Sequence, residues 1–175
     1  MSKVYVFLAD GFEEIEGLTV VDLLRRAGIE TRTVSIMGQE EIKGAHGIIV
    51  KADSLFENTD FSEVKMLVLP GGMPGTRHLG AYKPLTDMLC DWDTKGKQLA
   101  AICAAPSVFG GLGFLKDRKA TSYPGCLDGI PVGEYTEEPV AVDGNVVTSQ
   151  GVGTAIAFAL KLIEVLISKE KADEI

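Results

Sequence analysis

The chain has 175 residues, 46% of them apolar and 24% charged, with a formal net charge of −8, a composition that fits one soluble α/β-sized domain over residues 1–175. The acidic balance argues against a nucleic-acid backbone as the main partner, and no apolar run approaches the ~18–20 residues of a membrane span. Three cysteines, Cys90, Cys103 and Cys126, form neither a disulfide framework nor a metal-ligand spacing, and with no targeting pattern before the first strand a reducing cytoplasm is expected.

Lys3 to Leu8 is a near-continuous apolar run, the mark of a strand buried on both faces. After the loop Ala9-Asp10-Gly11-Phe12, residues 13–27 read as a helix with Ile15, Leu18, Val21 and Leu24 on its inner face, and Gly28 follows at the C′ position. Residues 29–36 are a second strand, so this unit implies parallel pairing with a right-handed crossover. Residues 38–52 break the rhythm, and two strand-like pieces around Gly44 predict a hairpin that leaves the main sheet. Val64 to Leu69 is another buried strand, ending at the loop Pro70-Gly71-Gly72-Met73-Pro74-Gly75. Lys83 to Thr94 follows as an amphipathic helix with Leu85, Met88, Leu89 and Trp92 inward, and Cys90 reads as one of its core residues. Leu99 to Ile102 is of strand length, and Pro106 opens a short helix to about Leu112, its missing N–H costing nothing at a first helical position. Residues 113–139 are loop-rich, residues 140–148 predict a hairpin turning at Asp143-Gly144-Asn145, and a last helix runs from Ala155 to about Ser168. The pattern predicts a doubly wound α/β sheet.

Loops after parallel strands gather at one sheet edge, which makes residues 9–16, residues 70–76 and Cys103 candidates to meet. Cys103 falls where a strand turns sharply into a helix, among the small residues Ala101, Ala104 and Ala105. This is the setting of a nucleophile elbow, with alanines where glycines are usual. A helix N-terminus favours the thiolate, and a buried structural cysteine fits the same spacing. Of the nearby acids, Glu13 and Glu14 suit a solvated helix start. A carboxyl held beside a thiolate would have its pKa raised by desolvation and like charge, and would serve as a proton shuttle. Gly71 and Gly72 let backbone N–H groups approach a ligand, and with the Ala104 amide they suit either an oxyanion hole or a plain tight turn. His46 and His78 read as lone surface histidines. No ligand cluster is spaced for a metal, and Gly151-Val152-Gly153 lacks the rest of a dinucleotide fingerprint, so neither metal nor cofactor is expected.

Four stretches then coincide: residues 9–16 (Ala-Asp-Gly-Phe-Glu-Glu-Ile-Glu), 69–72 (Leu-Pro-Gly-Gly), 101–106 (Ala-Ile-Cys-Ala-Ala-Pro) and 148–154 (Thr-Ser-Gln-Gly-Val-Gly-Thr). In this order they resemble the ThiJ/PfpI superfamily over essentially the whole chain, most closely the branch of the parkinsonism-linked deglycase and its bacterial YajL-like relatives. The resemblance implies a flavodoxin-like three-layer sandwich with a mostly parallel sheet, and a homodimer in which a hairpin residue, His46 by position, nears the partner's site. It assigns the reactive nucleophile to Cys103, the acid–base partner to Glu16, oxyanion amides to Gly72 and Ala104, and substrate contacts to Gly71 and Tyr123. Small carbonyl compounds or glycated thiols and amines are the implied substrates. The alternative implied role is a redox sensor or stress chaperone that works through oxidation of Cys103. Three departures stand out. Tyr123-Pro124 occupies the place of a His-Pro pair in many glyoxalase-active members, Ala105 replaces a glycine, and Ala104 replaces the His of protease-like members.

Overall fold

The computed structural model describes residues 2–175. In chain order, β1 (Lys3–Leu8) leads through α1 (Glu14–Arg26) to β2 (Glu30–Ser35), and a hairpin of β3 (Glu41–Lys43) and β4 (Ile49–Lys51) precedes the short β5 (Ser54–Leu55). Next come β6 (Val64–Leu69), α2 (Gly75–Ala81), α3 (Lys83–Thr94), β7 (Gln98–Ile102) and α4 (Pro106–Gly111). The last third holds the two-residue strands β8 (Lys119–Ala120) and β9 (Glu134–Tyr135), the hairpin β10 (Val140–Asp143) and β11 (Val146–Ser149), then α5 (Ala155–Leu166) and α6 (Lys169–Asp173).

The main sheet has the order β10-β11-β7-β6-β1-β2-β5 and is parallel throughout except for the β10–β11 hairpin. From β1 the chain winds outward to β2 and later returns to the other side with β6 and β7. The strand order therefore reverses between β1 and β6, and a crevice opens at their carboxyl ends. Helices cover both faces, which explains why the central strands are continuously apolar. Val4, Val6 and Leu8 of β1 pack with Val20, Val21 and Leu24 of α1 and with Phe158 and Leu162 of α5. Tyr5 and Phe7 point the other way, toward Leu79 of α2, Leu85, Leu89 and Trp92 of α3, and Phe109 of α4.

The three-layer sandwich, the excursion hairpin and the turn at Gly144 (φ +57°) follow the sequence expectation. Three details differ. The buried stripe of α1 runs through Glu16, Gly17, Val20, Val21 and Leu24, whereas Ile15 is 51% exposed and Leu18 only half-buried. The cause lies in the preceding loop, where Phe12 is fully buried and packs so closely on Gly17 that a Cβ there would sit 3.0 Å from its ring. Burying that one ring contributes roughly 1.5–3 kcal/mol, and it turns α1 so that Glu16 faces the sheet. Cys90 is exposed rather than core, because Leu85, Leu89 and Trp92 already fill the inner stripe of α3. Finally, α2 forms over Gly75–Ala81, between the expected Gly/Pro loop and the expected helix at Lys83, where the sequence assigned no element. No helix among the described residues is long and apolar enough to cross a membrane.

Candidate active site

The crevice collects one residue from each of three strand ends. Cys103 follows β7 with φ +66°, the one positive φ at a non-glycine among the described residues. Such a backbone costs an L-residue roughly 1–2 kcal/mol, and here it is over-determined. The Cys103 N–H donates to the Ser149 carbonyl at 2.9 Å, and the Cys103 carbonyl accepts from the Tyr123 N–H at 2.8 Å. Strained residues held this firmly mark functional sites. The turn between strand and helix is sharp, and α4 starts three residues later at Pro106.

Glu16 comes from the first turn of α1 and is fully buried. Its Oε2 accepts the Gly71 N–H at 2.9 Å, while the buried Oε1 has no conventional hydrogen-bond partner and has the Cys103 thiol as its neighbour. Burial pushes the Glu16 carboxyl up to about 7, aided by the Glu13 charge and opposed by the thiol and the Gly71 amide. Burial and the Glu16 charge push the Cys103 thiol up to about 12, while the amides of Ala104 and Gly72 pull it down. The helix-end argument for an easily formed thiolate therefore does not hold for the isolated sulfur. Two groups this close in a dry crevice share one negative charge, and the proton on the pair belongs to both. Because the Gly72 and Ala104 amides face the sulfur, charge on Sγ is stabilised only once the proton has moved to Glu16.

Gly71 and Gly72 have different duties. The Gly71 amide serves Glu16 and positions its carboxyl. A Cβ on Gly71 would stand 2.6 Å from both Cys103 Cβ and Glu16 Oε2, so only glycine lets the loop approach. Gly72 (φ +92°) turns the chain so that its own amide reaches the sulfur. Tyr123 stands beside the crevice, 55% exposed. A methyl group placed on Gly151 would touch Tyr123 Cδ2 at 3.5 Å, Glu16 Oε1 at 3.8 Å and Cys103 Sγ at 3.9 Å. Gly151, which lies in the fourth of the family-like stretches but carried no site role there, thus forms a wall of the crevice.

Glu13 and Glu14 are not solvated. Glu13 is 7% exposed and caps α1, its Oε2 accepting the Glu16 N–H at 2.9 Å. Glu14 is 4% exposed and anchors the excursion hairpin. Its Oε1 accepts the His46 N–H at 2.7 Å and the Ile48 N–H at 3.4 Å, and its Oε2 lies 2.9 Å from His46 Nδ1. His46, expected as a lone surface residue, is therefore paired, and Glu14 raises its pKa. His78 lies on α2. Cys90, Cys103 and Cys126 are all free thiols.

With this geometry in place, comparison with known proteins defines the class. The DJ-1/PfpI family pattern matches residues 2–165, and the chain belongs to that family. It is 39% identical over 99% of its length to protein DJ-1 homolog B of Arabidopsis thaliana, and it spans 40% of that longer relative. A Pyrococcus abyssi protein named as a deglycase is 32% identical, over 94% of this chain and 99% of its own. The structure of oxidized Toxoplasma gondii DJ-1 superimposes with a TM-score of 0.95 at 40% identity, covering 99% of this chain and 95% of that one.

Proposed function

We propose that this protein is a cofactor-independent, cysteine-dependent enzyme that acts on α-dicarbonyls such as methylglyoxal, or on their early adducts with thiols and amines. The Cys103–Glu16 pair carries the reading: a fully buried carboxyl with a pKa near 7, with one oxygen fixed by Gly71 and the other free beside a sulfur on a strained turn. A base with a pKa near the working pH is what proton transfer requires. Glu16 takes the Cys103 proton as Sγ adds to the aldehyde carbon, and the amides of Gly72 and Ala104 hold the resulting oxyanion. Glu16 returns that proton to the oxygen, giving a hemithioacetal. It then carries the proton of the former aldehyde carbon to the adjacent carbonyl carbon, while the hemithioacetal hydroxyl proton passes to that carbonyl's oxygen, leaving a thioester of a 2-hydroxy acid on Cys103. Water hydrolyses the thioester and restores the thiol. With a glycation adduct as substrate, Sγ displaces the repaired thiol or amine at that carbon, and the leaving group departs with the proton that Glu16 took from Cys103. The relative named as a deglycase supports this chemistry.

The test is steady-state loss of methylglyoxal by wild type, Cys103→Ala and Glu16→Gln with no free small thiol present. Multiple turnovers abolished by both substitutions are expected. Loss that stops at one equivalent per Cys103, or that survives Cys103→Ala, overturns the reading.

A second reading, as a redox sensor or stress chaperone, has its own observation. The sulfur is partly exposed, faces two amides and sits beside a carboxyl that is half protonated near neutrality, a setting that stabilises sulfinate oxygens, and one relative was solved oxidized. Stoichiometric peroxide oxidation of Cys103 that changes oligomer state or partner binding distinguishes it. For either role we infer a homodimer. Ile15 (51% exposed), Ile48 (52%), Ile49 (64%) and Ile156 (64%) are large apolar side chains left exposed, the kind of surface that a second copy would cover. Three free thiols suit the reducing cytoplasm.

A further inference from the structure

Glu13, Glu14 and His46 form a second constellation outside the Cys103 chemistry. Each carboxyl is clamped by backbone through one oxygen: Glu13 Oε2 by the Glu16 N–H, and Glu14 Oε1 by the His46 and Ile48 N–H groups. The remaining oxygens both turn to one atom, His46 Nδ1, at 3.5 Å from Glu13 Oε1 and 2.9 Å from Glu14 Oε2. A single ring N–H cannot satisfy two carboxylate oxygens fully. Among the described residues, no lysine or arginine pairs with either acid, so two buried negative charges face one imidazole. The three donor atoms lie within 4.8 Å of one another. Tetrahedral bonds of ~2.0–2.2 Å place donor atoms ~3.3–3.6 Å apart; the Glu13–His46 separation of 3.5 Å lies in that range, and the 2.9 Å between Glu14 and His46 has to widen on binding. The donors border a cavity of about 340 Å³, lined also by Ile15, Ile48 and Val152, which leaves space for a further ligand.

We propose that Glu13 Oε1, Glu14 Oε2 and His46 Nδ1 bind one divalent transition-metal ion of the Zn²⁺ class. One imidazole with two carboxylates selects Zn²⁺ and its first-row neighbours over Ca²⁺ or Mg²⁺, which prefer all-oxygen sites. The backbone clamps supply the outer-shell orientation that metal ligands need. The ion replaces the proton on Nδ1, which leaves to solvent, and it ties residues 44–48 to the first turn of α1. The sequence hides the site because His46 lies 32 residues from Glu14.

The test uses chelator-stripped full-length protein titrated with Zn²⁺ by calorimetry and with Co²⁺ by absorption. Wild type is expected to bind one ion per chain, with cobalt d–d bands and no thiolate charge-transfer band. Cys103→Ser is expected to bind equally well. His46→Gln, at an exposed position that leaves the fold intact, should weaken binding at least roughly tenfold. Absence of binding to wild type, unchanged affinity in His46→Gln, or loss in Cys103→Ser alone (which places the ion on the sulfur) overturns the proposal.

Discussion

Glu16 and Glu14 stand two residues apart on one helix turn, both buried, and are driven in opposite directions. Glu16 faces the crevice with a single amide donor, so burial prevails and its carboxyl rises to about 7. Burial also pushes Glu14 up, but the His46 side chain and the amides of Glu14, His46 and Ile48 together outweigh it, and its pKa falls. Glu16 lies deeper, has the Glu13 charge beside it and has fewer donors, and these differences decide together. A carboxylate given enough hydrogen bonds becomes a structural anchor, and one left short of them becomes a proton carrier held ready at neutral pH.

The largest effect expected from breaking this contrast is at Glu16 itself. Its folded pKa lies above the ordinary 4.5, so the folded state holds more protons than the unfolded one between those values, and stability falls as pH rises from about 4.5 through 7. Above pH 7 the charged form costs about 3 kcal/mol. Glu16→Gln, which keeps an acceptor for Gly71, is therefore expected to end turnover and yet raise stability by about that much at pH 8, with no gain at pH 4. Denaturant melts at the two pH values check it, and equal stabilisation at both would refute the account.

Gly71→Ala comes next. The added methyl cannot coexist with Cys103 Cβ and Glu16 Oε2 at 2.6 Å, so the carboxyl and sulfur must separate. A displacement of this order costs about 10²-fold in rate, read as kcat/KM for methylglyoxal, and the Glu16 pH dependence should move with it because its amide donor shifts.

Glu14→Gln should act with the opposite sign to Glu16→Gln. A lowered pKa means stability that is present above the ordinary value and lost as pH falls through the folded one. The variant is expected to lose about 2 kcal/mol at pH 7, with the deficit vanishing in acid. Hydrogen exchange at residues 44–48 should rise first, since their amides are what Glu14 holds.

These contrasts also mark how far the chain could be read without coordinates. The central strands, the helix at 83–94 and the Cys103 turn were legible because continuous apolar runs, a 3.6-residue period and Pro106 are local signals. Among the three acids, local pattern could not choose, since the orientation of α1 depends on Phe12 packing against Gly17, and the family motif was what singled out Glu16. Ile15 and Cys90 were misplaced for the same reason: helical phase is set by the neighbouring layer. The Gly71 amide and the Glu14–His46 pair were invisible, because both depend on segments far apart in sequence meeting at the sheet edge.

Tyr123 provides the smallest expected effect. If its hydroxyl were the base, the proposed role of Glu16 would fail. Tyr123 is more than half exposed, and its backbone N–H rather than its hydroxyl binds the Cys103 carbonyl. The ring and backbone can hold the elbow without the oxygen. Tyr123→Phe is accordingly expected to leave methylglyoxal turnover and its pH profile unchanged, whereas loss of a true general base costs about 10²–10⁴-fold. A fall of that size, with the profile's lower limb displaced, would move the proton carrier from Glu16 to Tyr123. Unchanged kinetics in Tyr123→Phe alongside a dead Glu16→Gln would leave the one-donor carboxyl as the group that moves the proton.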